Sequence, residues 1–179
     1  MTKTIFTYLI MILALPITSC TGEDGANGMD GMDGADGQDG NANVIASDWI
    51  PTDFIAGAVF VTAFNVEDAN INDTNVNTAA ILAFGQIGAS AVPIPFVFSN
   101  RSYYFILFPN INIIRFVGTV ADGTGTQVFD DIDAVRYVII PPAEGRGAST
   151  TPEDIIQNLI NKGVDVTDYG AVAKYFNIQ

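Results

Sequence analysis

From residue 43 onward the chain alternates apolar and polar positions in short runs separated by turn-forming residues. Val59, Val61 and Ala63 alternate with Phe60, Thr62 and Phe64, and residues 113–120 are rich in β-branched and aromatic side chains. This is the period-two pattern of strands, whose successive side chains face opposite sides of a sheet. It predicts strands near 43–50, 57–66, 78–87, 92–99, 102–108, 111–120 and 133–140. Turn signals at Ser99-Asn100, Pro109-Asn110 and Asp122-Gly123-Thr124-Gly125 separate several of these runs. Short strands broken by such turns predict a mainly β domain over 43–142, an antiparallel β-sandwich that is immunoglobulin-like in outline. Pro93 and Pro95 stand two apart, so both missing N–H groups face one side, which places their strand at a sheet edge.

The period changes after Pro141-Pro142. Residues 143–150 form a Gly-containing hinge, and Thr151-Pro152-Glu153-Asp154 has the order of a helix start: a capping hydroxyl, proline in the first turn, then acids at the positive end of the dipole. Ile155, Ile156, Leu159 and Ile160 make an apolar stripe that ends at Gly163. A second short helix over about 167–176 puts Tyr169, Val172, Ala173 and Phe176 on one face. The expectation for 143–179 is a hinge and short C-terminal helices that close an open end of the sandwich. Residues 81–98 are also largely apolar, but Gly85, Gln86, Gly88, Ser90, Pro93 and Pro95 interrupt them, which favours two buried strands over a membrane span.

The amino terminus follows a different rule. Lys3 is followed by an apolar run from Ile5 to Leu15 broken only by Thr7, then by Ile17-Thr18-Ser19-Cys20. That is the order of a secretory signal peptide, here 1–19, and the run is shorter than the roughly 20 apolar residues that a membrane helix needs. The ending at Cys20 resembles the lipobox of bacterial lipoproteins. The resemblance implies that the Cys20 thiol carries diacylglycerol, that the bond before it is cut, and that the new amino terminus is acylated. Several acyl chains, at roughly 0.8 kcal/mol per buried methylene, make such an anchor close to permanent.

Residues 20–42 form a linker in which glycine stands at 22, 25, 28, 31, 34, 37 and 40. Collagen needs glycine at every third position because no other residue fits where three chains meet, so the tract resembles collagen-like G-x-y repeats. It contains no proline, and Asp24, Asp30, Asp33, Asp36 and Asp39 would stack as rings of negative charge in a trimer, roughly 9 Å apart from Asp30 onward. Two readings stand: a homotrimeric stalk, or a self-repelling acidic spacer that lifts the domain off the membrane.

Composition narrows the chemistry. Net charge is −13, and no basic patch offsets it, so nucleic acid is set aside as a partner. With no histidine and a single cysteine, the chain lacks the usual general base, Ser-His and Cys-His pairs, thiolate zinc sites and any intrachain disulfide. Carboxylates, hydroxyls, Lys and Tyr remain. Glu67, Asp68 and Asp73, amid Asn65, Asn70, Asn72, Asn75 and Asn77, supply the oxygen donors that calcium prefers, set against a plain solvated turn. Asp130, Asp131 and Asp133 form a second acidic loop. Two carboxylates could hydrolyse a glycoside only if held at a fixed separation across a cleft, and no motif signals that, so no enzyme is expected. Trp49, Tyr103, Tyr104 and Tyr137 are candidates for a sugar-stacking platform, although adjacent Tyr103 and Tyr104 must point to opposite faces of a strand. Arg136 is expected to face solvent or to pair with a carboxylate.

Three segments together carry a family resemblance: the lipobox, the G-x-y tract running into Gly40-Asn41-Ala42-Asn43-Val44, and Val135-Arg136-Tyr137-Val138-Ile139-Ile140-Pro141 with Tyr175-Phe176-Asn177-Ile178. In these the chain resembles a family of collagen-like lipoproteins of Gram-negative bacteria. The family carries no established activity and no catalytic residues, so it implies placement and architecture. Thr21, in place of Asp after the cysteine, implies the outer membrane, and Glu23 and Asp24 resemble surface-export signals. The expected protein is lipid-anchored in the cell envelope and structural or adhesive, with a surface carbohydrate-binding module as the alternative and a glycan or envelope protein as partner. Labelled palmitate should enter the wild-type chain and not Cys20→Ala; equal incorporation into both would remove the anchor.

Overall fold

Residues 43–142 and 151–179 are described by the computed structural model, and all of them fall in one unit, Gly37–Gln179. The signal peptide, Cys20, the Gly-x-y tract and the 143–150 hinge lie outside the described residues. In chain order the elements are β1 (Ile45–Ala46), β2 (Ile50–Pro51), β3 (Val61–Glu67), α1 (Asp73–Thr78), β4 (Ala80–Ile87), β5 (Ser90–Ile94), β6 (Phe96–Phe98), β7 (Arg101–Phe108), a 3₁₀ turn (Pro109–Ile111), β8 (Ile113–Val120), β9 (Ala134–Ile140), α2 (Pro152–Asn161) and α3 (Tyr169–Phe176).

The chain is mainly β, with two antiparallel sheets and a few short helices. The first sheet runs β1-β9-β4-β5, with β2 also on β9, and the second runs β3-β8-β7-β6. The long ladders match the alternating runs: β3 pairs Val61–Glu67 with Thr119–Ile113, and β4 pairs Ala80–Gln86 with Ile140–Ala134. Three strand expectations are revised. The 43–50 strand is two two-residue pieces, which pair Ile45 with Ile139 and Ile50 with Val135. The 57–66 strand starts at Val61, while Val59 makes only an isolated bridge to Gln127. The 92–99 strand is cut at Pro95, which has no N–H to donate: β5 pairs with β4 in the first sheet and β6 with β7 in the second. Both halves end their sheets, as the two prolines require.

The reason for two sheets lies in where apolar side chains go. One core cluster takes Ala83, Ile94, Val135, Tyr137 and Ile139 from the first sheet and Tyr103, Ile114, Phe116 and Val120 from the second. The opposite side of the first sheet is also apolar, and there Ala80, Phe84, Val138 and Ile140 meet Ile155, Leu159, Val164 and Val172. All seven residues of β9 are therefore buried, with its odd positions toward the second sheet and its even positions toward the helices.

The helices consequently cover the outer face of the first sheet, where a closed end of the sandwich was expected, because β4 and β9 are apolar on both faces and need cover on both. They begin as the sequence indicates. Thr151 caps α2, its side chain accepting from Asp154 N, and Asp168 caps α3, accepting from Gly170 N. The α2 stripe keeps three of its four residues: Ile155 and Leu159 are buried and Ile156 packs half-buried beside them, whereas Ile160 is 48% exposed.

Two glycines let the 121–133 segment fold back over the sheets. A Cβ on Gly118 would lie 2.6 Å from Phe129 Cδ1, and one on Gly85 would lie 3.1 Å from Ile132 Cδ1. Phe129 and Ile132 are both buried in the inter-sheet core. Gly118→Ala should thus displace the Phe129 ring and cost about 1–3 kcal/mol in urea denaturation. Unchanged stability would mean that the ring is not held there.

Candidate functional site

The first acidic loop starts where β3 ends. Asp68 Oδ1 accepts from the Asn70 backbone N–H and from Asn70 Nδ2, both at 2.8 Å, and Oδ2 accepts from the Tyr137 hydroxyl at 2.5 Å. The neighbouring asparagines also bond within the loop. Asn72 caps α1 by accepting from Asn75 N (3.0 Å), Asn75 Nδ2 donates to Asn70 O (2.8 Å), and Asn77 Nδ2 donates to Asp73 O (2.6 Å). The turn signal of this segment hides a helix, because these asparagines cap and brace it. Glu67 is exposed at the end of β3 and Asp73 opens α1, so the three residues considered for calcium occupy a strand end, a structural anchor and a helix start. Among the described residues no group of three or more His, Cys, Asp or Glu side chains converges as a metal site would require.

The second acidic loop is built the same way. Asp131 Oδ2 accepts from the Tyr103 hydroxyl at 2.7 Å and lies 2.7 Å from Arg101 Nε in a charge contact, without the alignment of a hydrogen bond. Arg101 Nη1 lies 3.6 Å from Asp130 Oδ1 and donates to Val128 O at 2.7 Å. Asp133 Oδ2 accepts from Gly88 N at 2.8 Å, joining this loop to the β4–β5 turn.

The four aromatic candidates do not share a surface. Tyr103 and Tyr137 are 1% and 2% exposed, with their rings in the inter-sheet core. Trp49 packs edge-on to Tyr169, with ring centroids 5.2 Å apart, on the helix side of the first sheet. Tyr104 is half-buried and lies on the side of β7 opposite Tyr103.

Arg136 corrects its expectation. It is 6% exposed, and its Nε donates to Ser47 O (2.6 Å), Nη1 to the Tyr169 hydroxyl, and Nη2 to Gln179 O (2.7 Å). Its guanidinium carbon lies 5.6 Å from the Tyr169 ring centroid and 6.0 Å from that of Trp49. Main-chain oxygens, a phenol and π faces hold the guanidinium in place of an Asp or Glu side chain, because this position of β9 lies beneath the helical layer.

Among the described residues, α2 and α3 pack on the first sheet and leave free the outer face of the second, where Val117 is nevertheless 5% exposed. Register places Val61, Thr119, Ser102 and Val97 in one row, Ala63, Val117 and Tyr104 in the next, then Asn65, Arg115 and Ile106, and lastly Glu67, Ile113 and Phe108. Val97 is 65% exposed, Val61 50% and Ile106 40%. Arg115 Nε donates to Asn65 Oδ1 (2.8 Å), and its guanidinium carbon sits 4.9 Å from the Phe108 ring centroid. Sequence reasoning missed this face, since the strand pattern shows which positions alternate and not which side stays uncovered. No protein family, curated protein or solved structure matches the chain.

The Tyr–Asp bonds predict the pH response. Burial raises the Asp68 carboxyl, but bonds from Tyr137 and Asn70 outweigh it and hold Asp68 below the usual carboxylate range. Burial, then the Asp68 bond, raises the Tyr137 hydroxyl; burial and Asp131 do the same for Tyr103. A lowered carboxyl stabilises the fold above its unfolded pKa, near 3.9, and that stability is lost as pH falls through the folded value. Raised phenols stabilise below about 10, and this is lost as pH climbs further. Tyr137→Phe should cost about 1.5–3 kcal/mol at pH 7, the range for a hydrogen bond to a charged group. It should also move the acid unfolding midpoint, followed by circular dichroism, to higher pH. An unshifted midpoint would show that the bond does not hold the loop.

Proposed function

We propose that this chain is a lipid-anchored cell-envelope protein with a structural or adhesive role and no catalysis. Its domain is read as a β-sandwich that is immunoglobulin-like in outline. The likeness stops short of strand order, since here the last strand lies between β1 and β4. The observation that carries the role is the unequal treatment of the two sheets. Helices cover the outer face of the first, while the second presents Val61, Val97, Tyr104 and Ile106 to the surroundings. Uncovered apolar positions on a sheet face are the usual mark of a contact surface. The engagement of Asp68, Asp131 and Asp133 in loop-holding bonds supports a passive role for both acidic loops. Cys20 and the Gly-x-y tract supply the anchor and the stalk of this reading, at the outer membrane and facing outward.

The second reading, glycan capture, rests on Tyr104 standing beside rows that carry Ser102 and Thr119 on one side and Asn65 and Arg115 on the other. An aromatic ring flanked by hydrogen-bonding groups suits a sugar. Protease shaving of intact cells expressing the full chain should remove the domain, and protection from protease would overturn surface display. A glycan array probed with wild type and Tyr104→Ala separates the readings: binding lost with the ring establishes glycan capture in place of adhesion to protein.

A further inference from the structure

Among the described residues each sheet has two edges, and three of the four are guarded. The β1/β2 edge is split into two-residue pieces and ends in Pro51. The β5 edge carries Pro93, and β6 has three residues directly after Pro95. Short strands and prolines are the devices by which proteins keep free edges from pairing. The fourth edge, β3, is seven residues long, without proline, and carries no charge before Glu67.

Its unpaired groups can be identified. In antiparallel ladders, residues that exchange both backbone bonds alternate with residues that exchange none. Val120 N donates to Phe60 O (3.0 Å) and Asp68 N to Asn112 O (2.9 Å). With Thr62 opposite Gly118, Phe64 opposite Phe116 and Val66 opposite Ile114, the even positions of β3 serve β8. The N–H and C=O groups of Val61, Ala63, Asn65 and Glu67 therefore point away from β8. Among the described residues no hydrogen bond meets them, and all four residues are exposed. Val59, two residues earlier, has its outward groups taken by Gln127 in both directions at 2.9 Å, so the open stretch starts at Val61.

We infer that β3 is an association edge at which a second copy of this chain adds its own β3 antiparallel, joining the two β3-β8-β7-β6 sheets into one. Two features select a second copy. Such an edge is self-complementary, because alternate residues each present one donor and one acceptor to a partner that presents the same. The chain carries −13 charge, so two copies repel over most approaches, yet residues 61–66 hold no charged group and the edge is where like copies meet with least repulsion. Joining also makes the uncovered outer faces of the two sheets continuous.

Sedimentation velocity of the full chain in density-matched detergent tests this. Ala63→Pro removes an N–H that serves nothing within the chain, so the β3–β8 ladder survives it. Ala63→Glu keeps the backbone and adds a like charge to the same edge. Wild type should sediment as a dimer with increasing concentration. Both variants should remain monomeric, at least tenfold weaker in association, with an unchanged circular dichroism spectrum. If Ala63→Pro disturbs the fold, Ala63→Glu alone decides. A monomeric wild type, a trimer, or dimerisation equal to wild type in Ala63→Glu would overturn the inference.

Discussion

The structure depends on one strand that has no solvent side. β9 is buried at all seven positions, so half of its side chains need a second sheet and the other half a second cover. Val135, Tyr137 and Ile139 account for the inter-sheet core, while Val138 and Ile140 require the helices. A strand of this kind is normally uniformly apolar, and Arg136 is the exception. Its charge under the helical layer is tolerable because each part of the guanidinium has a partner: a carbonyl from the β1–β2 link, a phenol from α3, a main-chain oxygen of Gln179 and two aromatic faces. Those partners come from segments far apart in sequence, so Arg136 ties the first strands and the C-terminal layer to the same point of β9. An unpaired cation there would be costly, which makes the arrangement specific as well as cohesive.

The two acidic loops obey a common rule that their composition conceals. Each sheet sends one tyrosine into the core between them, Tyr137 from β9 and Tyr103 from β7, and each hydroxyl emerges at the rim to meet an aspartate, Asp68 or Asp131. A phenol suits this place because its ring is apolar and its tip must be hydrogen-bonded. Asp68 and Asp131 are thus anchors that fasten the two loops to the core. Gly85 and Gly118 serve the same fastening by leaving room for Ile132 and Phe129 on the segment that carries Asp131.

What was legible in the sequence was local. The long strands, the edge position of the proline-bearing segment, the Thr151 cap and the Ile155–Leu159 stripe all follow from interactions within a few residues, and the structure contains them. What was not legible was the partner across the chain. Tyr137 and Asp68 are 69 residues apart, Arg136 and Ser47 are 89 apart, and nothing in either member of a pair announces the other. Pro95 marks an edge, but a proline does not say that the chain changes sheets there. The helices pack on the outer face of the first sheet, in place of the open end expected for them, because β4 and β9 are apolar on both faces. Continuous apolar runs in both strands were the signal that two covers were needed.

The uncovered sheet and its open edge acquire their meaning from the rest of the molecule. A single strand pair is a small interface, well below the roughly 800 Å² per partner of a stable free complex, so in dilute solution it would be weak. The anchoring proposed above would change that balance. Lipid on Cys20 would confine copies to one surface and hold their domains at similar height, and tethering of this kind raises effective concentration without any new contact. On that proposal the acidic residues of the Gly-x-y tract would work against contact elsewhere, since like charges repel. Such repulsion and a neutral edge on the domain would then be complementary: the first would suppress indiscriminate clustering, and the second would leave one geometry in which neighbours can join. Guarding three edges with proline or brevity and leaving the fourth long and neutral is consistent with selection for that single geometry.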